Sequence, residues 1–252
     1  MGSVRPPCVR ARLLRRWLTG LLLAAAAIAC ATQAPAPPVA GTGTVWGHLR
    51  LVPREGVTPV KPGASPYGDR RMSDVEFVDY SKPGFAVVHL DSGPSPAGTA
   101  QLVIRASGVR TRLDPPHAAV GAGGVLVVSN ASGAAHVLSA PGMGRVHRLE
   151  PGQQVEIAVP DAGEQSLFLL DVARSEATVF VSPGPFVVVS ADGRFELSGL
   201  TPGSHSLLAW HPRFPPARAP LQIAPDSVVR VDLEMGVDQR DDEPASAPAN
   251  QP

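Results

Sequence analysis

The chain has 252 residues, of which 28 are proline and 25 glycine, and its 22 basic residues balance 22 acidic ones. Five arginines and no acidic residue lie in the first thirty positions, so the remainder holds 17 basic against 22 acidic residues, a net charge of about −5. A mildly acidic chain of this kind argues against nucleic acid as a partner and against electrostatic binding to anionic lipid.

The first thirty residues have the pattern of an export signal. A basic segment is followed by an apolar run, Trp17–Ile28, of about a dozen residues, which is too short to span a bilayer and the right size for a signal-peptide core. The run leads into Ala-Ile-Ala-Cys, ending at Cys30, which resembles a bacterial lipobox. We therefore expect residues 1–30 to be a lipoprotein signal peptide, Cys30 to be the lipidated first residue of the mature chain, and the Pro/Ala-rich residues 31–43 to be a tether.

These features also predict where the protein works. Processing would remove Cys8, the only other cysteine, and lipid would occupy Cys30, so the folded part would have neither a free thiol nor a disulfide. We expect an exported, periplasmic or cell-surface lipoprotein whose contact with the membrane is its lipid anchor. Ordinary cleavage at the small-residue site is the alternative, and it would give a soluble secreted protein.

After the leader, short β-like runs recur between turn-forming residues, and no stretch has helical periodicity. The thirteen runs are Val45–Val52, Phe85–Leu90, Leu102–Arg105, Val109–Leu113, Val125–Ser129, Val146–Leu149, Val155–Val159, Leu167–Leu170, Thr178–Val181, Phe186–Ser190, Arg194–Leu197, Ser206–Trp210 and Val228–Leu233. Thirteen short strands in about 190 residues predict an all-β fold with two β-sandwiches. The acidic, Pro/Ala-rich residues 237–252 are expected to form a disordered tail.

One long segment, residues 53–84, does not fit the strand pattern. It is irregular and charged, and it holds both tyrosines of the chain, Tyr67 and Tyr80, with Arg70 and Arg71 between them. Long ordered loops are often functional, so these four side chains are the first candidates for binding a ligand or partner. The alternative is a strap that covers the sandwich.

The C-terminal part contains a specific motif. Residues 192–207 read Asp-Gly-Arg-Phe, then Leu-Thr-Pro-Gly, then the start of a returning strand. This run resembles the carboxypeptidase regulatory-like family, whose fold is a transthyretin-like β-sandwich. Thr44–Leu49 resembles the strand that opens such domains. The resemblance therefore implies one sandwich made of two separate parts, residues 44–92 and 186–236.

The segment between these two parts resembles a second family. From Val125 to Val181 the chain reads like the metal-binding half of a cupredoxin. The combination is similar to bacterial exported proteins with a plastocyanin-like domain, often labelled methylamine-utilisation-like, in which a Trp-His pair such as Trp210-His211 closes the chain. The resemblance implies a cupredoxin-like Greek-key sandwich over residues 97–185, inserted in the transthyretin-like one.

Most copper ligands implied by that resemblance are missing. His136, which follows an asparagine at a strand end, matches the first histidine ligand. Leu170, Ala173 and Glu176 stand about where the resemblance places a cysteine, a second histidine and a methionine. A blue-copper centre needs a soft thiolate beside its imidazoles, and no cysteine follows the lipobox. We therefore predict that the copper site is lost and that the protein holds no cofactor.

An altered metal site is the competing interpretation of His136. It would combine His136 with His147 or Glu176 to bind zinc or copper. A metal ion needs three or more preorganised ligands with supporting hydrogen bonds, whereas a lone histidine in a turn is more often solvent-exposed or hydrogen-bonded. We favour the second interpretation for His136.

No catalytic pattern emerges from the sequence. The serines Ser139, Ser166 and Ser190 do not lie in a nucleophile-elbow motif. The glycines between Gly121 and Gly124 precede a strand, whereas a phosphate-binding loop opens a helix. We therefore predict that the protein is not an enzyme.

The preferred function is that of a binding or structural module at the membrane surface, with an unidentified envelope protein or glycan as partner. The turn around His136 is the second candidate surface, after the 53–84 loop. One alternative is a metal-handling or electron-transfer cupredoxin with an altered copper site that includes His136. Another is a carbohydrate-binding module of the cell envelope, which would need Tyr67 and Tyr80 exposed side by side as aromatic platforms.

Overall fold

The computed structural model describes residues 37–56, 78–108 and 110–237. Several sequence predictions fall outside these residues: the lipidated Cys30, the loop residues Tyr67, Arg70 and Arg71, and the tail 238–252. Within the described ranges, no helix combines the length and the apolar character needed to cross a membrane.

The fold is all-β, as predicted, with one short 3-10 turn at Pro141–Met143. In chain order, the strands of the described residues are β1 (Gly43–Val52), β2 (Val87–Leu90), β3 (Thr99–Ser107), β4 (Arg110–Asp114), β5 (His117–Gly121), β6 (Gly124–Asn130), β7 (His136–Ala140), β8 (Arg145–Leu149), β9 (Gln154–Val159), β10 (Gly163–Leu169), β11 (Glu176–Ser182), β12 (Phe186–Val188), β13 (Arg194–Leu200), β14 (Gly203–His211), β15 (Phe214–Ile223), β16 (Val228–Arg230) and β17 (Leu233–Gly236).

Strands from both ends of the described chain form one β-sandwich, which we call the outer sandwich. One sheet has the order β13-β1-β16, with β17 also pairing with β1, and the other has the order β12-β2-β14-β15. The first half of β1 pairs in parallel with β16 and its second half with β17. The buried core between the sheets includes Val45, Leu49, Phe195, Leu207 and Met235.

The strands in between form a second sandwich, which we call the inner sandwich. Its two sheets have the orders β5-β11-β10-β7-β8 and β4-β3-β6-β9. Two of its strand pairs, β3 with β6 and β5 with β11, are parallel, so the chain crosses over before it forms these two pairs. Its core is separate from that of the outer sandwich and includes Leu102, Leu126, Leu138, Leu167 and Val179.

The sequence pattern missed three strands and merged two. It did not indicate β5, β7 or β15, and it treated β16 and β17 as one strand. The small residues of β5 and the proline-rich composition of β15 give weak strand signals. β15 tolerates Pro215, Pro216 and Pro220 because it is the outermost strand of its sheet, where a missing amide hydrogen leaves no neighbour unpaired.

Aromatic side chains fill the junction between the two sandwiches. Phe180 of β11 stacks on Trp210 of β14, with ring centroids 4.8 Å apart, and lies 5.0 Å from the ring of His89. Phe85 contacts the rings of His117 and Trp210 at 5.7 and 6.3 Å. Three of these ring pairs, all except Phe85–Trp210, join a residue of the inner sandwich to a residue of the outer one. The cluster therefore ties the two sandwiches together.

Candidate functional site

His136 is the first residue of β7 and is only 5% exposed. The sequence interpretation placed it in a turn, and the structure corrects this, because the turn ends just before it. The side chains of His136, Leu138 and Ala140 all face the core of the inner sandwich, following the two-residue period of a strand. The imidazole therefore lies inside the fold, at the end of the five-stranded sheet.

The buried side chain of Asn130 shapes the turn that leads into His136. Its amide nitrogen donates to the carbonyls of Ala134 and Leu149, at 2.8 and 2.9 Å. Its amide oxygen accepts from the backbone N–H and the hydroxyl of Ser132, at 2.9 and 2.7 Å. Two donors and two acceptor positions are thus satisfied, which is what a side chain with 1% exposure needs.

The carboxylate of Asp171 holds His136 from the other side. Asp171 follows β10, and one of its oxygens lies 2.7 Å from Nδ1 of His136. The other oxygen accepts the backbone N–H of Val137 at 2.9 Å. We call His136, Asp171 and this amide the histidine clasp. Asp171 and His136 are 35 positions apart in the chain, so no local sequence pattern indicates their contact.

The clasp favours an ionised Asp171. Burial opposes ionisation, but the hydrogen bonds that the carboxylate accepts from the Val137 amide and from His136 outweigh it, so the pKa of Asp171 lies below its ordinary value. An ionised carboxylate can only accept hydrogen bonds, so Nδ1 of His136 carries a proton and donates it.

Nε2 of His136 is buried and has no hydrogen-bond partner among the described residues. The same holds for Nε2 of His147, which lies on the neighbouring strand β8. His147 is opposite Leu138 and His136 is opposite Leu149, so the two histidines are diagonal neighbours on one face of the sheet. Each unpaired buried nitrogen carries a cost of roughly 1–3 kcal/mol.

The donor set does not fit a blue-copper centre. Leu170, at the position where the resemblance implies a thiolate, is 63% exposed and points away from the core. Ala173 and Glu176 are also exposed. Among the described residues, no group of three or more histidine, cysteine, aspartate or glutamate side chains is arranged to hold a metal ion. We therefore assign no chemical step to copper.

One candidate of the 53–84 loop has a contact among the described residues. Tyr80, the only one of the four loop residues that the structure describes, packs edge-on against Phe214 with ring centroids 6.1 Å apart. It covers the core of the outer sandwich. The ring of Trp46 lies under the guanidinium of Arg230, whose carbon is 5.1 Å from the ring centroid.

A buried histidine, His211, lies on the outer-sandwich side of the junction. Its Nδ1 accepts the backbone N–H of Arg213 at 3.0 Å, so Nε2 carries the proton and donates to the carbonyl of Pro83 at 3.1 Å. Burial lowers the pKa of His211 to about 4. The hydrogen bond to Pro83 opposes this shift, whereas the nearby charges of His117 and Arg213 add to it.

Comparison with known proteins gives no family. Neither a protein family nor a curated protein matches the chain. Among solved structures, a purple cupredoxin from Nitrosopumilus maritimus is similar at 18% identity and a TM-score of 0.28, over 33% of this chain and 99% of that one. Amicyanin from Paracoccus versutus is similar at 17% identity and a TM-score of 0.29, over 38% of this chain and 97% of that one. Similarity of this degree says nothing about what this chain binds.

Proposed function

We propose that this protein is a non-enzymatic binding module, held at the extracytoplasmic face of a membrane by a lipid on Cys30. In this proposal the outer sandwich is the transthyretin-like domain, residues 44–92 and 186–236. The inner sandwich, residues 97–185, is a cupredoxin-like domain that has kept its scaffold and lost copper. The partner is a protein or a glycan of the cell envelope.

The observation that carries the proposal is the histidine clasp. The segment after β10, where the resemblance implies three copper ligands, supplies the carboxylate of Asp171 instead, and it bonds Nδ1 of His136 at 2.7 Å. With Nδ1 engaged and the Val137 amide bonded to the same carboxylate, the histidine that would bind copper becomes a link between β7 and the end of β10. A fixed link of this kind suits a scaffold better than a centre that exchanges electrons or metal.

A metal-handling role is the second candidate, because one observation favours it. Metal-binding histidines commonly donate one ring N–H to a carboxylate and bind the metal through the other nitrogen. His136 donates to Asp171 in this way, and its Nε2 is buried without a partner in the described part of the chain. His147 would be the second ligand, since its Nε2 is also unpaired and lies on the same face of the sheet.

The anchor is tested by metabolic labelling of the full chain with palmitate in a bacterial host. We expect label in the unchanged protein and in a Cys8→Ser variant, because Cys8 lies in the segment that processing would remove. A Cys30→Ser variant should carry none. Absence of label from the unchanged protein, or label that survives Cys30→Ser, would contradict the lipoprotein proposal.

The metal question is decided by calorimetric titration of the full chain with Cu(II) and with Zn(II). Because no group of three or more metal-ligating side chains is arranged among the described residues, and none of those residues is a cysteine, we expect no stoichiometric binding of either ion. His136→Ala is compared with His48→Ala, a matched control whose Nδ1 faces Asp232 at 4.0 Å on the outer sandwich. Stoichiometric binding that survives His48→Ala but not His136→Ala would establish the second candidate and remove the first.

A further inference from the structure

The strand β8 is the last strand of its sheet in the described part of the chain, after the order β5-β11-β10-β7. Such an edge presents backbone N–H and C=O groups that have no neighbouring strand. Three of its five residues, Arg145, Val146 and Arg148, are exposed, whereas Leu149 is buried. The edge is therefore accessible along most of its length.

The pairing of β7 shows which backbone groups of β8 point outward. The carbonyl of Val137 accepts the amide of Leu170, and the amide of Val137 donates to Asp171, so both groups face β10. Backbone groups alternate along a strand, so those of Leu138 face β8, where His147 is opposite. On β8 itself, the N–H and C=O groups of Val146 and Arg148 therefore point away from the sheet.

The side chains beside this edge form an apolar surface. Val146 is 64% exposed and Leu170 is 63% exposed, and both lie on the outer face of the sheet. Ser139 lies between Val146 and the half-buried Phe168 on this face, since it is paired with both. The same face is covered at its other end by the outer sandwich, through the contact of Phe180 with Trp210.

The charge of the edge indicates the chemistry of its partner. Arg148 is bonded to Glu150 at 2.8 Å, and no ion pair is recorded for the exposed Arg145 within the described residues. Opposite charges on paired strands stabilise a sheet and like charges destabilise it. Because Glu150 already pairs with Arg148, Arg145 carries the unbalanced charge, and β8 of a second copy would only add another Arg145, so an acidic strand fits better.

We propose that β8 is a docking edge that takes an extended, acidic segment of a partner protein as an added strand. The segment would exchange main-chain hydrogen bonds with Val146 and Arg148, and its carboxylates would lie on the face of the sheet that carries Arg145. Its alternate apolar side chains would extend the surface formed by Val146, Phe168 and Leu170. This inference rests on the proposed binding function and names the surface and the class of partner.

The experiment measures hydrogen exchange by NMR in the full chain, purified in detergent. The probe is a seven-residue peptide of alternating glutamate and valine with blocked ends, and its control replaces glutamate by lysine. The glutamate peptide should slow exchange of the Val146 and Arg148 amides at least tenfold. The His147 amide, which already faces β7, should change little. The lysine peptide should protect neither outward amide.

Two variants separate strand addition from other binding. Val146→Pro removes an outward N–H and leaves the bonds between β7 and β8 in place, so it should abolish the protection of the Arg148 amide. Val146→Ala keeps that N–H, so the glutamate peptide should still protect both outward amides. Arg145→Glu, which leaves the backbone unchanged, should weaken binding of the glutamate peptide at least tenfold.

Three results would overturn the proposal: no protection by the glutamate peptide, equal protection in Val146→Pro, or protection of the two amides by self-association without peptide. None of these depends on the palmitate labelling or the metal titration. Failure here would remove the edge as a docking surface, and those two experiments would still decide the proposed function separately.

Discussion

At the scale of single residues, hydrogen bonds of two polar side chains, Asn130 and Asp171, organise one end of the inner sandwich. Asn130 uses both of its donors and both acceptor positions of its oxygen, and Asp171 uses both oxygens on His136 and Val137. The low exposure of Asn130 makes its bonds costly to lose, because no water replaces the missing partner. The end of the sheet around His136 is therefore specified by polar contacts as well as by apolar packing.

Replacing Asp171 by asparagine tests the clasp. An asparagine cannot accept the Nδ1 proton and the Val137 amide with two oxygens, so one bond is lost, and we expect Asp171→Asn to lower the free energy of unfolding by about 1–2 kcal/mol at pH 7. The exposed Asp161→Asn is the matched control and should change little. The measurement is urea unfolding of both variants beside the unchanged protein.

The clasp also predicts a pH dependence. The pKa of Asp171 in the folded protein lies below its unfolded value of 3.8. Its contribution to stability is therefore complete above about pH 4 and is lost as the pH falls through the lower folded pKa. The stability difference between Asp171→Asn and the unchanged protein should shrink over that acidic range. A difference that stays constant down to pH 2 would contradict the hydrogen-bonded, ionised carboxylate.

At the scale of elements, β1 is the strand on which the outer sandwich is assembled. It pairs antiparallel with β13 on one side and in parallel with β16 and then β17 on the other. The chain passes from β16 to β17 beside Gly47, where the amide of Val231 donates to Trp46 and the amide of His48 donates to Asp232. This change of partner leaves no room for a side chain at position 47.

Gly47→Ala tests this crossing. A Cβ atom at Gly47 would lie 1.7 Å from the carbonyl oxygen of Val231, which belongs to the backbone and cannot rotate away. We expect a loss of about 3 kcal/mol in unfolding free energy, at the upper end of the range for overpacked sites. Gly133→Ala, where no atom lies within 4 Å of the added carbon, is the control for urea denaturation. Equal midpoints for the two variants would show that the β16–β17 connection moves aside easily.

At the scale of the whole molecule, histidines accompany the aromatic junction. His117 contributes from the inner sandwich, and His89 and His211 contribute from the outer one. Burial lowers the pKa of His89 as well as that of His211. Protonation of His211 would also break its bond with the Arg213 amide, because a charged imidazole has no acceptor. Folding therefore favours the neutral forms of His89 and His211.

We expect the stability of the protein to fall in mild acid. The pKa of His211 is lowered to about 4 from 6.5, so the neutral form is favoured by folding. Its contribution is complete above pH 6.5, is lost as the pH falls from 6.5 to about 4, and changes no further below that. Urea midpoints measured from pH 7.5 to 4 should decline, and His211→Gln should flatten the decline. A His205→Gln control should leave it intact. A flat profile in the unchanged protein would contradict this account.

Much of the architecture could be predicted from the sequence, element by element. Alternation of apolar and polar residues located most strands, and the Asp192-Gly193 turn before β13 was recognised from its residue types. The strands β5 and β15 were missed because their small residues and prolines resemble loop composition. The candidate site was predicted in part: His136 was singled out, but its burial and its partner were not.

The sequence by itself determined the all-β class and the absence of a thiolate after residue 30, because both follow from local composition and from residue inventory. Tertiary structure alone decided that Asp171 meets His136, that Val146 and Arg148 form an open edge, and that three histidines gather at the junction. These facts depend on sheet order and on how sheets stack. Residues far apart in the chain meet through long-range packing, which the two-residue period of a strand does not encode.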